Sequence, residues 1–213
     1  MRDYILFRYN SKYIRIFEQR WTMNLKAQLE HDKIVLPDTF YEHVERYTDH
    51  LLKWNKIHNL TGATTKELVA EHIYDSVFPV SFLPKLGNAL DIGTGAGFPG
   101  LILAMALRST KFTLVEPLAK RSGFLQFIKA DLGLDNVEVL NKRIEQVPPI
   151  SYDFITSRAV TETNTLMDFA QPFIKKGTLL LFFKGERVYD EIQDAEHVKI
   201  IKTEKRHYLL IER

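Results

Sequence analysis

Residues 88–100 read NALDIGTGAGFPG and predict a strand, a glycine-rich turn and the start of a helix. The apolar residues before Gly93 predict a buried strand, and residues 100–108 predict a helix. Glycines at 93, 95 and 97 let the backbone turn tightly and approach a ligand that a Cβ atom would keep away. The predicted helix presents free backbone N–H groups in its first turn. The pattern predicts a nucleotide-binding turn; a tight turn without a ligand is the plainer alternative.

The residues around these glycines indicate which nucleotide is bound. Dinucleotide-binding turns have a third glycine in the pattern GxGxxG, and Phe98 occupies that position here. The GxGxG spacing is typical of class I methyltransferases, whose cofactor, S-adenosyl-L-methionine, has no phosphate. Glu116 ends the predicted strand KFTLVE, close to the ~20 residues after the glycines at which an acid binds the ribose hydroxyls. Together, the loop and Glu116 predict an S-adenosylmethionine site.

Strand and helix patterns continue to alternate after this unit. Predicted strands cover residues 88–93, 111–116, 136–140, 152–156 and 177–183, and predicted helices cover 100–108, 118–132 and 162–174. The segments HVKIIK and RHYLLIER predict two final strands that form a hairpin. We therefore predict an α/β fold of the Rossmann-like class I methyltransferase type. Its mainly parallel sheet has seven strands, with helices on both faces.

A small helical subdomain is predicted before the sheet. Apolar and aromatic side chains recur at steps of four, three, four and three and give one stripe of a helix over residues 37–57: Phe40, Val44, Tyr47, Leu51 and Trp54. Thr64 and Thr65 suit the cap of a second helix, from Lys66 towards Phe78. We predict a basic extension over residues 1–22, a helical subdomain over 23–86 and a methyltransferase domain over 87–213. The extension is an addition to the fold, a basic arm, or sequence upstream of a true start at Met23.

The composition excludes several kinds of chemistry. The 213 residues include no cysteine, which excludes disulfides, thiolate metal sites and the cysteine adduct used for methylation at C5 of pyrimidines. No apolar run approaches the ~20 residues that span a bilayer, and the N-terminal segment lacks the apolar core of a signal peptide. We expect a cytoplasmic protein without a metal site. The net charge of +2 is too small for binding nucleic acid by bulk charge, so an RNA surface requires local clustering.

The residues after the third and fourth predicted strands are expected to line the pocket, since ligands of such folds lie at the carboxyl ends of the strands. These residues are Arg143-Ile144-Glu145 and Ser157-Arg158-Ala159. Glu145 can accept a hydrogen bond from the adenine amino group while Ile144 packs on the ring. A solvated Arg–Glu pair on a loop explains the first triplet equally well.

Several separated motifs in addition resemble one family, the bacterial 16S ribosomal RNA guanine-N7 methyltransferases known as RsmG or GidB. The similarity runs from about Trp54 to Gly185. Its motifs are WNKIHNLT (54–61), HIYDS (72–76), LDIGTGAGFPGLILA (90–104), KR..FL (120–125), NVEVLNKRIE (136–145), SRAV (157–160) and KG (184–185). The combination of NLT, GFPG, RIE and SRA is far more specific than the glycine loop. In that family the acid at position 116 is more often aspartate.

The resemblance implies methyl transfer to N7 of a guanine in the decoding-region loop of 16S ribosomal RNA. It also implies cofactor contacts from Gly93, Phe98, Ile144, Glu145 and Arg158, beside the loop residues Gly95 and Gly97 and the acid Glu116. Guanine N7 carries no proton, so no general base is needed, and orientation and electrostatics are expected to supply the catalysis. SRAV also stands where enzymes that methylate exocyclic amines have an NPPY-like motif.

Arg158 and Asn59 are the two candidate catalytic residues. We expect Arg158 to bind the cofactor carboxylate or guanine O6, because N7 must stay free; a structural ion pair is its alternative. Asn59 and Thr61 can line the mouth of the pocket or cap a helix end. His72, Asp75 and Ser76 can form a local hydrogen-bonded cluster rather than a site. A Ser-His-Asp hydrolase is disfavoured, because all three lie within five residues and no nucleophile elbow is present.

The expected partner is 16S ribosomal RNA or the small ribosomal subunit, bound by a monomer. Basic residues that flank the NLT motif or the strand ends predict a rim around the pocket, although solvated side chains explain any one of them: Lys53, Lys56, His58, Lys66, Lys120, Arg121, Arg143, Lys184 and Arg187. A methyltransferase of small molecules or proteins would not need such a rim. A non-catalytic RNA-binding assembly factor would lack the cofactor. An NAD-dependent oxidoreductase is disfavoured by Phe98.

Overall fold

A computed structural model describes residues 6–9, 12–15, 25–158, 162–185, 188–191, 198–203 and 206–213. The chain divides into two compact units. One comprises Thr22–Val147, and the other comprises Met1–Trp21 together with Pro148–Arg213. Along the described residues, no helix combines the length and the apolar character that crossing a membrane requires.

Three helices open the unit formed by Thr22–Val147: α1 (Leu25–His31), α2 (Asp38–His58) and α3 (Lys66–Val77). The apolar stripe predicted for α2 is confirmed, because Phe40, Val44, Tyr47 and Leu51 are buried and Trp54 is half-buried. The predicted cap of α3 is also confirmed. The Thr65 hydroxyl accepts a hydrogen bond from the Leu68 N–H at 3.3 Å, which satisfies one of the free amides of the first helical turn.

The same unit continues with a parallel β–α–β–α–β arrangement. Its elements are β3 (Asn88–Ile92), α4 (Gly100–Ala106), β4 (Lys111–Val115), α5 (Ala119–Asp131) and β5 (Val137–Leu140). The strands lie in the order β5-β4-β3, and the register pairs Ile92 with Val115 and Val115 with Leu140. The carboxyl ends of the three strands are therefore level, and the loops that follow them share one edge of the sheet.

The other unit contains two strands near the N-terminus and the rest of the sheet. Strands β1 (Leu6–Tyr9) and β2 (Lys12–Arg15) form an antiparallel pair that the sequence analysis did not predict. After them come β6 (Phe154–Arg158), α6 (Thr163–Ala170), β7 (Leu179–Lys184), α7 (Val188–Glu191), β8 (Val198–Lys202) and β9 (His207–Glu212). Strands β6 and β7 are parallel, whereas β9 runs antiparallel to β7 and to β8. The predicted C-terminal hairpin is confirmed.

The predicted fold class is confirmed by these elements. Strands β3 to β9 make a seven-stranded, mainly parallel sheet with helices around it. The strand interiors are buried almost throughout, as in β7, where five of the six residues have buried side chains. Continuous apolar strands of this kind are expected where helices cover a parallel sheet. The boundary placed between residues 86 and 87 remains a prediction.

Candidate active site

The glycine loop between β3 and α4 adopts the backbone conformation that its glycines predict. Gly93, Gly95 and Gly97 have φ angles of +69°, +63° and +110°, a region that other residues rarely enter. A Cβ atom on Gly97 would lie 2.9 Å from the Leu101 Cβ atom, so this glycine is also required for close packing. A Cβ atom on Gly95 would meet no protein atom within 4 Å. The loop is therefore closed on the side of Gly97 and open over Gly95.

The Glu116 carboxylate joins this loop to the next one. Its Oε2 atom accepts a hydrogen bond from the Gly95 N–H at 2.9 Å, and its Oε1 atom accepts one from the Leu118 N–H at 2.9 Å. The side chain is buried, with an exposed fraction of 2%. A carboxylate offers about four acceptor positions, so two remain beside the open face of the loop. Glu116 thus lies beside the glycine loop, and its contact with a ribose remains a prediction.

A buried aspartate that the sequence analysis missed holds the start of α4. The Asp91 Oδ2 atom accepts a hydrogen bond from the Gly100 N–H at 2.8 Å. A Cβ atom on Gly100 would lie 2.5 Å from the same oxygen and 2.6 Å from the Leu114 Cδ2 atom. Only glycine fits there, which explains the final glycine of the GFPG motif. Asp91 could have been recognised in the sequence as an acid inside an apolar strand, two residues before the first loop glycine.

The loop after β5 lies beside the loop after β4. The Asn141 side-chain amide donates hydrogen bonds to the Glu116 and Pro117 carbonyl groups, both at 3.0 Å. Residues 144–146 then form a short 3₁₀ turn in which Ile144 is buried and Glu145 is exposed. An apolar side chain followed by an exposed acceptor fits the predicted adenine contact, which remains a prediction.

Two helices of the N-terminal region contact the glycine loop directly, which the sequence analysis did not foresee. The Tyr47 hydroxyl on α2 donates a hydrogen bond to the Ala96 carbonyl at 2.8 Å, and both residues are buried. The Phe98 ring lies edge-on to the Tyr47 ring, with the centroids 5.7 Å apart. The His72 ring of α3 lies 5.3 Å from the Phe98 ring on a tilted plane. Phe98 therefore joins the glycine loop to both helices through ring contacts.

The predicted cluster on α3 has local hydrogen bonds, as expected. The Ser76 hydroxyl donates to the His72 carbonyl at 2.6 Å, one helical turn earlier. Asp75 and Ser76 are both buried. A serine hydroxyl bonded back to the helix and shielded from solvent is a structural group, so this motif supplies helix packing and no nucleophile.

Asn59 ends helix α2, as the capping alternative stated. Its backbone is left-handed, with φ +50° and ψ +59°, a conformation that asparagine tolerates better than most residues. Asn55 organises the loop that follows: its side chain accepts from the Thr61 N–H at 2.9 Å and donates to the Thr61 carbonyl at 2.9 Å. The Asn59 side chain is exposed. Its predicted place at the mouth of the pocket remains a prediction.

Arg158 belongs to the other compact unit, where it is the last residue of β6 and half-buried. This places it at the carboxyl end of a parallel strand, as expected. Its predicted contact with the cofactor or with guanine remains a prediction.

The basic residues predicted for the rim differ in their surroundings. Lys53, Lys56 and Arg143 are exposed. Lys66 pairs with Asp49 at 2.8 Å, and this contact lowers the pKa of Asp49 and raises that of Lys66. The prediction for Lys184 is wrong, because this last residue of strand β7 is buried, with an exposed fraction of 8%. Arg187 lies outside the described residues.

Two further basic residues tie α5 to the end of α2. Lys120 donates from its Nζ atom to the His58 carbonyl at 2.9 Å, and Arg121 donates from Nε to the Leu60 carbonyl at 3.1 Å. These bonds satisfy carbonyl groups at and just beyond the helix end. They also hold the loop around Asn59 beside the first turn of α5, which directly follows Glu116.

Comparison with known proteins gives consistent results. A family model described as rRNA small subunit methyltransferase G matches residues 40–211. The chain is 50% identical over 186 residues to "Ribosomal RNA small subunit methyltransferase G" of Wolinella succinogenes, covering 87% of this chain and 96% of the relative. It is 44% identical over 189 residues to the protein of the same name in Aliarcobacter butzleri, covering 88% of this chain and 97% of the relative.

Solved structures with low sequence identity share the fold. A SAM-dependent methyltransferase from Aquifex aeolicus has a TM-score of 0.51 and 20% identity, covering 64% of this chain and 89% of that protein. An rRNA methylase from Streptococcus thermophilus has a TM-score of 0.51 and 13% identity, covering 65% and 93%. These similarities confirm the predicted class I methyltransferase fold.

Proposed function

Because the chain belongs to the rRNA small subunit methyltransferase G family, we propose that it methylates N7 of one guanine in the decoding-region loop of 16S ribosomal RNA. It is an S-adenosylmethionine-dependent methyltransferase of ribosomal RNA. The choice of N7 and of this loop is the proposal. Since ribosomal RNA is its substrate, we also propose that it acts in the cytoplasm. We further propose that it acts as a monomer.

The observation that carries the cofactor assignment is the buried Glu116 carboxylate on the Gly95 amide. A phosphate on this loop would compete for the same N–H and would be repelled by the carboxylate at short range. A neutral ribose instead donates hydroxyl hydrogen bonds to the acceptor positions that Glu116 still has. The contact therefore supports S-adenosylmethionine over a dinucleotide.

The rest of the loop also fits this cofactor. The space over Gly95 leaves room for a ligand, and the Thr94 hydroxyl is buried without a hydrogen-bond partner among the described residues. A buried polar atom without a partner is costly unless a ligand or water satisfies it. We propose that the cofactor is held by Gly93, Gly95, Gly97, Phe98, Glu116, Ile144, Glu145 and Arg158.

The proposed reaction requires no general acid or base from the protein. Bound S-adenosylmethionine supplies an electrophilic methyl group, and the in-plane lone pair of guanine N7 is a nucleophile without a proton. The protein must hold the base so that N7 lies in line with the methyl group and O6 is bound. Orientation of this kind can lower a barrier by about 7–11 kcal/mol. We propose that Arg158 binds O6 or the cofactor carboxylate and that Asn59 contacts the base.

The target guanine must leave its stack to reach such a pocket. Lys53, Lys56, Lys120, Arg121 and Arg143 are the basic residues that we propose to contact the RNA backbone around it. Lys66 completes this set, because its ion pair with Asp49 is exposed and such surface pairs are weak enough to leave the lysine able to contact a phosphate.

Labelled methyl transfer to small ribosomal subunits lacking this modification tests the substrate class. After incubation with S-adenosyl-L-[methyl-³H]methionine, the label is expected in the RNA fraction and at one nucleotide of the decoding-region loop. Label in ribosomal protein would favour a protein methyltransferase. Cofactor binding without any transfer to RNA or protein would overturn the enzymatic assignment to ribosomal RNA.

A further inference from the structure

We propose that unpaired nucleotides beside the target guanine stack on an aromatic and basic surface between α2 and α5. This surface, the α2–α5 seam, consists of Lys53, Trp54, Lys56, Ile57 and His58 of α2 with Leu118, Lys120 and Phe127 at the start of and along α5. The inference rests on the proposed function, because it takes ribosomal RNA as the substrate. It assigns binding to a surface outside the nucleoside pocket.

The aromatic side chains of the seam form a continuous row. The Trp54 ring stacks against the Phe127 ring, with centroids 5.6 Å apart and planes 28° apart. The His58 ring, one helical turn after Trp54, lies 5.4 Å from the Trp54 ring. His58 and Phe127 are exposed, and Trp54 is half-buried. Nucleobases stack on such rings irrespective of sequence, because every base presents a π-face.

Apolar groups on the seam are unusually exposed. Ile57 is 79% exposed, Leu118 is 47% exposed and Phe127 is 37% exposed. These three belong to the six large apolar side chains that are exposed among the described residues. Scattered exposed apolar residues are ordinary. Here, however, Phe127 packs on the Trp54 ring and Ile57 lies one helical turn from Trp54, so exposed apolar area adjoins aromatic rings and indicates a binding surface.

The charge around the row selects a polyanion as the partner. Acidic residues occupy 27 of the 213 positions, about one in eight, yet residues 50–66 and 117–130 contain none. Lys53, Lys56 and Lys120 of these two segments are exposed. Neutral surroundings would suit an apolar protein partner. Exposed lysines on the same two helices as the aromatic rings instead complement the phosphates and bases of a single strand.

The seam is connected to the cofactor loop by direct contacts. Trp54 packs on Phe124 with centroids 5.5 Å apart, and Phe124 packs on Tyr47 at 5.9 Å. Tyr47 in turn binds the Ala96 carbonyl of the glycine loop. Lys120 holds the His58 carbonyl next to Asn59. Nucleotides on the seam would therefore lie a few side chains from the methyl-transfer site, where the neighbours of an extruded guanine must be held.

The seam also contains a spectroscopic probe. The chain has two tryptophans, Trp21 and Trp54. In a Trp21→Phe protein, fluorescence reports Trp54 alone. Titration with a short single-stranded oligoadenylate at low salt is expected to quench this emission in a saturable manner. An abasic oligonucleotide of the same length carries the same phosphates without bases, so it is expected to bind more weakly and to leave the emission nearly unchanged.

Exposed residues supply variants that leave the fold intact. Phe127→Ala and His58→Ala are each expected to weaken oligoadenylate binding by about tenfold, the loss typical of one stacked base. Lys56→Glu is expected to weaken it further at low salt. Lys111→Glu is the matched control, because Lys111 is an exposed lysine at the opposite, amino-terminal edge of the sheet, and binding should be unchanged.

Three outcomes would overturn the proposal. If oligoadenylate binds without quenching Trp54, the RNA binds at another surface. If the abasic strand quenches equally, the seam binds phosphates by charge and does not stack bases. Binding of assembled subunits that depends on Phe127, without any binding of RNA alone, would indicate a ribosomal protein as the partner. Methyl transfer and cofactor binding are measured on the same proteins, so failure of the seam is distinguished from failure of the enzymatic function.

Discussion

The Tyr47 hydroxyl binds the Ala96 carbonyl, 49 residues away in the chain, at 2.8 Å in a fully buried contact. This bond joins the longest helix of the N-terminal region to the loop that is proposed to hold the cofactor. A helical region that looks like an attachment in the sequence is thus part of the support of that loop, and its residues should influence cofactor affinity.

Tyr47→Phe removes this bond while keeping the ring. We expect a loss of about 1–3 kcal/mol in the free energy of unfolding, because the buried Ala96 carbonyl loses its partner, and a several-fold rise in the dissociation constant for S-adenosylhomocysteine. Denaturant unfolding and titration calorimetry measure the two. Tyr41→Phe, on the same helix and half-buried, is the control and should change neither. Unchanged cofactor affinity in Tyr47→Phe would show that the loop keeps its shape without α2.

Glu116→Gln replaces a buried acceptor by a side chain with a single acceptor oxygen. Its amide nitrogen would face the Gly95 or Leu118 N–H, where two donors cannot bond. We expect a loss of about 1–3 kcal/mol in unfolding free energy and at least a tenfold loss of cofactor affinity. Glu138→Gln, an exposed carboxylate on β5, serves as the control. If the Glu116→Gln protein is stable and binds the cofactor normally, Glu116 does not bind the ribose.

Gly95→Ala and Gly133→Ala form a matched pair, because both glycines have φ near +60° and neither would bring a Cβ atom within 4 Å of the protein. In both variants the free energy of unfolding should fall by about 1–2 kcal/mol, because alanine is strained in the left-handed conformation. Only Gly95→Ala should lose cofactor affinity, and Gly95→Val should abolish binding, since these side chains enter the proposed ligand space. Equal affinities in both alanine variants would move the cofactor away from this loop.

The reaction is expected to need no general base. With saturating RNA, the rate of methyl transfer should show no titration between about pH 6 and 8, where histidine changes its charge. His58→Gln and His72→Gln proteins that remain folded should retain measurable turnover in single-turnover assays. Complete loss of the chemical step in either variant would contradict the mechanism.

RNA binding should depend on salt in proportion to the phosphates contacted, by roughly −0.7 log units per log unit of salt for each single-strand contact. Charge reversal at Lys53 or Lys56 should flatten this slope and leave cofactor affinity unchanged. These two lysines are cleaner tests than Lys120, whose Nζ atom also holds the His58 carbonyl. Lys111→Glu should keep the full slope. Equal slopes in all variants would show that these lysines do not contact RNA phosphates.

Local patterns sufficed to predict much of the fold and the place of the loop. The positive φ angles of the glycines at 93, 95 and 97 could be predicted, because strand, turn and helix are recognised from neighbouring residues. The contact of Glu116 with the loop could also be predicted, because the parallel register brings the ends of the strands together. The α2 stripe followed from helical periodicity, although the same periodicity could not say that Tyr47 would reach Ala96.

Other features depend on partners distant in sequence. Asn55 gives no local sign that it will organise residues 61–63, and Lys184 reads as a basic residue at a strand end although its side chain is buried. In the sequence, Phe98 argues only against a dinucleotide, because it replaces the third glycine of GxGxxG. In the structure, its ring contacts two helices. Contacts of this kind are decided by packing, which sequence spacing does not report.

Chemical identification of the methylated nucleoside decides whether the protein modifies N7 of guanine in 16S ribosomal RNA. Small ribosomal subunits lacking the modification are incubated with the protein and labelled S-adenosylmethionine, and the 16S ribosomal RNA is digested to nucleosides and separated by chromatography with mass detection. We expect a single labelled product, 7-methylguanosine, that is absent with the Gly95→Val protein. A label on the exocyclic amine of guanine, on another base or on ribose would contradict it.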